Sequence, residues 1–174
     1  AAVFKTENAL VRQGFLSGTH TLSTALFGIL RPGDKILSVT GDLYDTMKDV
    51  IEGENCGSLK DFGIKFEYIN EEIGSPDYFE ALKNKLKDNF KAIYIQRSRG
   101  YSLRKSLCIE EIEKIISFSK ENCPGIIAVV DNCYGEFVQE KEPSEVGADL
   151  IIGSLIKNPG GSIACSGGYI AGKN

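Results

Sequence analysis

Short apolar runs recur along this chain with helical stretches between them. They are KILSVT at 35–40, IKFEYI at 64–69, KAIYIQ at 91–96, IIAVVD at 126–131 and ADLIIG at 148–153. Each is β-branched or aromatic and bounded by Gly, Pro, Asp or Asn, the pattern of a strand. One helix is expected from about Gly18 to Leu30, stopped by Pro32-Gly33. A second is expected after Ser75 as cap and Pro76 in the first turn, with Phe79, Leu82 and Leu86 on one face. In a third, Ile109, Ile112, Ile115 and Ile116 form a stripe, with acids early and Lys114 and Lys120 late, matching the helix dipole. Strand–helix–strand repetition with near-continuous apolar strands requires a parallel sheet covered on both faces. The predicted fold is therefore α/β, a three-layer α/β/α sandwich around a mostly parallel sheet. GGYIAG at 167–172 adds a strand that can run antiparallel. Residues 1–174 read as one domain without linker or repeat. The chain opens in a helix-like run and stops on AGKN just after a strand, so the expectation is the middle of a larger protein.

Composition removes several classes of function. At 174 residues the chain can bury a substantial core. Its net charge is −4 and no Lys/Arg cluster stands out, which argues against a nucleic-acid surface. No apolar run has the length of a membrane span, and AAVFKTENALVRQGF lacks the apolar core of a signal peptide. The cysteines, at 56, 108, 123, 133 and 165, are odd in number, far apart and without a CxxC pair. A reduced, cytoplasmic protein is expected rather than a disulfide scaffold or zinc knuckle. His20 is the only histidine, so no His-rich metal site can form and no metal is expected.

Reactive groups of a parallel α/β sheet collect at the carboxyl ends of its strands. At SGTH (17–20), Ser17 is a natural N-cap, and Gly18 lets backbone approach a ligand where free helix-start amides bind anions. A simple cap is the alternative reading. In TGDLYDT (40–46), Tyr44 can stack on a flat ring or fill a half-buried core position. In VVDNCYGEF (129–137), Asp131 ends an apolar strand, so its carboxylate needs a cationic or hydrogen-bonding partner, either a pyridinium N–H or a backbone amide. In SLIKNPGG (154–161), Ser154 and Lys157 can face one site across a tight turn. A hydroxyl there suits a phosphate oxygen and an amine suits an aldehyde. Burial is expected to lower the lysine pKa toward neutrality, as a Schiff-base nucleophile requires. Lys157 precedes its glycine pair, an order that argues against a P-loop.

An anion loop, an aromatic, a strand-end Asp and Ser-x-x-Lys, in that order, describe a pyridoxal phosphate cradle. The blocks SGTHTLSTALFGILRPGDKILSVTGDLYDT, IQRSRGYSLRKSL, VDNCYGEFVQEKEPSEVGADLIIGSLIKNPGG and GGYIAG cover nearly the whole chain. They resemble the methionine gamma-lyase-like family, also called the aluminium resistance protein family, a branch near the cystathionine lyases among fold-type I pyridoxal-phosphate enzymes.

The resemblance implies that this is the large cofactor-binding domain of such an enzyme, without an N-terminal segment and a C-terminal domain. It implies that pyridoxal 5'-phosphate is held by Lys157 as a Schiff base and by Asp131 at the pyridine nitrogen. The Gly18 and Thr19 amides and the Ser154 hydroxyl would hold the phosphate, and Tyr44 would stack on the ring with His20 as its rival. Lys157 and Tyr44 would be catalytic. Cystathionine-lyase relatives carry an Asn-Pro pair where this chain has Arg97-Ser98-Arg99-Gly100. Arg97 and Arg99 are therefore assigned to substrate or a neighbouring subunit, with a structural salt bridge as the alternative. The implied activity is carbon–sulfur β- or γ-elimination on an amino acid such as cystathionine or methionine, by a homodimer or homotetramer in full-length form. Another fold-type I reaction, of aldolase or desulfurase type, and a non-catalytic scaffold fragment remain the alternatives.

Overall fold

The computed structural model describes residues 1–173. Its strands are β1 (Asn8–Arg12), β2 (Lys35–Ser38), β3 (Lys65–Tyr68), β4 (Ala92–Gln96), β5 (Ile127–Asp131), β6 (Leu150–Ser154) and β7 (Gly168–Gly172). They form one sheet in the order β1-β7-β6-β5-β4-β2-β3. From β3 across to β6 every pairing is parallel, whereas β7 runs antiparallel to both β6 and β1. The helices are α1 (Gly18–Ile29), α2 (Asp45–Glu52), α3 (Tyr78–Leu86) and α4 (Ile109–Asn122).

Alternation along the central strands divides the core into two layers, because successive strand side chains point to opposite faces. Leu37, Ile93, Ile95, Val130 and Ile151 pack with Tyr78, Leu82 and Leu86 of α3 and with the Ile109–Ile112–Ile115–Ile116 stripe of α4. Ile36, Ala92, Tyr94, Val129 and Ile152 pack on the other face with Leu22 and Leu26 of α1 and Met47 and Ile51 of α2. The predicted three layers are present, and residues 167–172 are indeed the antiparallel strand. The stripe of α4 was readable because its spacing matches one helical face. Its start is fixed locally, the Glu111 carboxylate accepting from the Cys108 amide at 2.9 Å.

Local expectations failed in two places. The opening residues are not a helix: a short 3-10 turn at Ala2–Phe4 leads into β1, which pairs with β7 from Asn8↔Gly172 to Arg12↔Gly168. All side chains of β1 are exposed, so its apolar pattern carried no strand signal, and the open edge of β7 supplied the reason to extend. Ser75 does not cap α3, which begins at Tyr78 after Asp77; the Ser75 carbonyl accepts from the Tyr78 amide instead. Between β2 and β3 lies α2, a two-turn helix whose polar sequence DTMKDVIE buries only Met47 and Ile51.

Because β2 to β6 are parallel, their carboxyl ends lie along one edge. Gln96 is the register partner of Asp131, and Asp131 that of Ile152, two residues before Ser154. That edge carries the residues nominated from the sequence.

Candidate functional site

Asp131 is the last residue of β5 and is 2% exposed. Its oxygens are both engaged: the Cys133 amide donates to Oδ1 at 3.1 Å and the Tyr94 hydroxyl donates to Oδ2 at 3.2 Å. Tyr94 projects from β4, two residues before its end, so two adjacent strands fix the carboxyl. Burial raises the pKa of Asp131; its contacts with Cys133, Lys157 and Tyr94 oppose that rise.

Ser154 is the last residue of β6 and fully buried, and its hydroxyl has no hydrogen-bond partner among the described residues. A tight turn follows, the Lys157 amide donating to the Ser154 carbonyl at 3.3 Å and the Gly161 amide to the Lys157 carbonyl at 2.9 Å. The N-terminus of α1 abuts this turn. A methyl group at Gly18 would lie 3.3 Å from Cys133 Sγ, 3.4 Å from Ser154 Cβ and 4.0 Å from Lys157 Nζ. Ser17 caps α1 by accepting from the His20 amide at 3.1 Å. The amides of Gly18 and Thr19 belong to the first turn and have no carbonyl one turn back to bond. Gly18, Thr19, Ser154 and Lys157 are thus gathered where α1 meets the end of β6.

A cavity of about 260 Å³ opens here, lined by Tyr44, Ser98, Gly100, Tyr101, Asp131, Cys133, Tyr134 and Lys157. Tyr44 is half-buried at the start of α2. Burial raises its pKa, and Asp131 adds to the rise, while the Thr19 and Thr46 hydroxyls oppose it. Those two hydroxyls are 3.0 Å apart, tying the first turns of α1 and α2 together. The Lys157 ammonium lies 4.2 Å from the centroid of the Tyr134 ring.

Lys157 departs from expectation in charge, though not in place. Desolvation does pull its pKa down, but Cys133, Asp131 and Tyr134 together outweigh it, and the net shift is upward. The protonated amine is favoured by Cys133 and Tyr134, which the sequence reading left out, and by Asp131, which it had placed at the same site. A cationic partner for Asp131 would relieve that hold, since the carboxylate is then neutralised from another side.

The remaining nominated residues are not part of the cavity lining. The His20 ring stands edge-on to Phe15 with centroids 5.9 Å apart, and its Nδ1 accepts from the Leu16 amide at 3.3 Å. Arg97 is 2% exposed and its guanidinium is turned into the protein, donating to Asn132 Oδ1 at 2.8 Å and Gln139 Oε1 at 3.2 Å and pairing with Glu142 at 3.5 Å. The substrate-binding assignment of Arg97 is corrected accordingly: this arginine neutralises a buried carboxylate, and its alternative as a structural ion pair holds. Arg99 is exposed on the loop that follows β4. A larger cleft of about 560 Å³, bordered by Glu72, Ser75, Arg104 and Glu111, contains none of the nominated residues.

Sequence reasoning missed Tyr94, Cys133, Tyr134 and Glu136. Cys133 and Tyr134 lie two and three residues after Asp131, so proximity to a strand-end acid was the available signal. Tyr94 is visible only once β4 and β5 are known to be neighbours.

Comparison with known proteins matches this geometry to a group of relatives. The methionine gamma-lyase family model matches residues 1–174. The Bacillus subtilis protein YnbB is 51% identical over 99% of this chain and 42% of its own length. A Listeria monocytogenes structure, named as a candidate cystathionine beta-lyase involved in aluminum resistance, is 53% identical with a TM-score of 0.93 over 98% of this chain and 44% of that one. A carbon-sulfur lyase involved in aluminum resistance from Clostridium novyi NT is 50% identical with a TM-score of 0.90, covering 98% of this chain and 41% of that one. The chain therefore spans less than half the length of these relatives. With the sheet order, the strand-end acid and the lysine turn in place, and with the match running over the whole sequence, the chain belongs to the methionine gamma-lyase family.

Proposed function

We propose that this chain is the pyridoxal 5'-phosphate-binding core of a carbon–sulfur lyase that performs β- or γ-elimination on a sulfur amino acid such as cystathionine or methionine. One observation carries the reading. Lys157, Asp131 and Tyr44 line a single cavity, and the hydroxyl of Ser154, beside it, is buried with no partner of its own. An orphaned buried hydroxyl is costly unless a ligand oxygen completes it. Gly18, at the first turn of α1, lies beside Ser154, an added methyl falling 3.4 Å from Ser154 Cβ, and free helix-start amides next to an unpaired hydroxyl fit a phosphate monoester.

Each residue then has a task its position suits. Lys157 Nζ is the amine that would hold the cofactor's aldehyde, and in its neutral form it would serve as the base that takes the proton from the substrate Cα and gives it back. Asp131, clamped by the Cys133 amide and the Tyr94 hydroxyl, is the carboxyl that would pair with a ring N–H. Ser154, Gly18 and Thr19 would hold the phosphate, and Tyr44 would lie against the ring. When bound, the cofactor supplies the electron sink for negative charge developing at the substrate Cα. Tyr101, Leu103 and Ile163 are exposed apolar or aromatic side chains, which supports association of copies into a homo-oligomer.

The test is to load this chain and the corresponding full-length protein with pyridoxal phosphate, record the visible spectrum, reduce with borohydride and map the modified peptide. A visible band and covalent modification at Lys157, both absent in Lys157→Ala, are expected. Release of a thiol and a keto acid from cystathionine, methionine or cysteine then identifies the reaction. Modification of another lysine, or no band in either protein, overturns the reading.

A further inference from the structure

Glu136 is a buried carboxyl that the proposed chemistry does not use. It is 1% exposed and lies five residues after Asp131. Its Oε1 accepts from the Tyr169 hydroxyl of β7 at 3.0 Å, and its Oε2 has no partner among the described residues. The carboxyl is packed onto bare backbone of β6. A methyl group at Gly153 would fall 2.5 Å from Glu136 Oε1 and 2.5 Å from the Tyr169 hydroxyl. Gly153 immediately precedes Ser154, the residue from which the Lys157 turn departs. A second link comes from the turn itself, where the Asn158 side-chain amide donates to the Glu136 main-chain carbonyl at 2.9 Å. Glu136 thus touches the segment bearing Lys157 on both sides of the lysine.

We propose that Glu136 is a positioning residue that holds the Lys157 turn against β6 and, through its buried carboxyl, sets how tightly Lys157 keeps its proton.

Charged and titratable groups reach this carboxyl from each element around it. Tyr169 comes from β7, Asp131 from β5, Cys133 from the turn after β5, Lys157 from the turn after β6, and Arg97 from the loop after β4. Burial pushes the Glu136 carboxyl up to about 7; its own backbone and Tyr169 oppose this, Asp131 adds to it, and Lys157 lowers it. Coulomb interactions are mutual, so an ionised Glu136 favours a protonated Lys157, in addition to the larger effects of Cys133, Asp131 and Tyr134. Near neutrality Glu136 gains its charge, and the amine is then held more firmly. Loss of that charge releases the amine toward the neutral form. Its use in the reaction rests on the pyridoxal phosphate reading, but the effect on Lys157 does not.

The experiment uses the cofactor-free protein. Reductive methylation with formaldehyde and a borane reductant modifies only neutral amines, and peptide mass spectrometry gives the rate at Lys157 against pH, with exposed Lys105 as internal control. In Glu136→Gln the Lys157 profile should move to lower pH, with a rate roughly three- to tenfold higher at pH 8, about half to one pKa unit. Lys105 should not change. Tyr169→Phe, which removes the hydrogen bond favouring ionised Glu136, should move the profile the same way by less, and serves if Glu136→Gln folds poorly. An unmoved Lys157 profile in folded Glu136→Gln overturns the proposal, as does an equal shift in Asn158→Ala, which would assign the effect to packing of the turn rather than to charge. Because no cofactor is present, failure here is distinct from failure of Lys157 to bind pyridoxal phosphate.

Discussion

The Lys157 amide donates to the Ser154 carbonyl at 3.3 Å, so a fully buried strand end and the Lys157 amine are separated by a single turn of chain. This links two requirements. Ser154 is fixed by the sheet, pairing with Gly168 across β6 and β7, and Lys157 inherits that rigidity while its side chain enters the cavity. A nucleophile placed on a loop would otherwise have to be ordered by the ligand at an entropic cost.

Replacing Ser154 by Ala should leave stability unchanged or slightly raised, because the hydroxyl is buried without a partner. Binding should suffer instead. Equilibrium dialysis with pyridoxal phosphate should show an affinity loss of about 1–2 kcal/mol, roughly tenfold, from one missing hydrogen bond to a charged phosphate. A large fall in urea midpoint with unchanged affinity would count against a phosphate role.

Gly153→Ala should destabilise the fold by about 1–3 kcal/mol, since a methyl group there meets Glu136 and Tyr169 at 2.5 Å. Both neighbours are almost fully buried and cannot swing into solvent. Urea unfolding followed by circular dichroism measures this directly, and a midpoint equal to that of the parent chain would contradict the packing described.

Arg97→Ala is expected to cost about 3–5 kcal/mol of stability by leaving Glu142 buried without its cation. The double variant Arg97→Met, Glu142→Leu should recover much of that loss, because replacing a buried pair by apolar groups is often neutral. A substrate-binding arginine would behave differently, raising KM in the full-length enzyme with no change in the unfolding curve.

Stability should also depend on pH through Glu136. Its folded pKa is raised from 4.5 to about 7, so the native state favours the protonated carboxyl. The contribution is fully present below about pH 4.5 and is lost as pH rises through 7. Relative to Glu136→Gln, the parent chain should therefore lose stability across this window, on the order of 2–3 kcal/mol. Denaturant curves at pH 4.5, 6 and 7.5 for both proteins test the sign; a parent chain that gains on the variant as pH rises would refute it.

Much of the fold was legible because its signals are local. Apolar β-branched runs ending in Asp or Ser marked β5 and β6, and one-sided isoleucines marked α4. Asp131, Ser154 and Lys157 could be nominated because a parallel sheet brings strand ends to one edge whatever the details. β1 was misread because its side chains are all exposed and its pairing is a matter of backbone alone. Arg97 was misassigned because a charged residue just past a strand end reads as accessible until Asn132, Gln139 and Glu142 are seen to enclose it.

The sequence by itself determined the layered parallel sheet and the edge where its strands end, and it nominated one amine, one carboxylate and one hydroxyl on that edge. The tertiary structure alone decided how these groups are charged and oriented. Tyr94 reaches Asp131 only because β4 lies beside β5, and Glu136 reaches the Lys157 turn only because Gly153 leaves room and β7 brings Tyr169. Charge states in a protein interior are set by neighbours distant in sequence, and electrostatic energy depends on separations in space that no order of residues specifies.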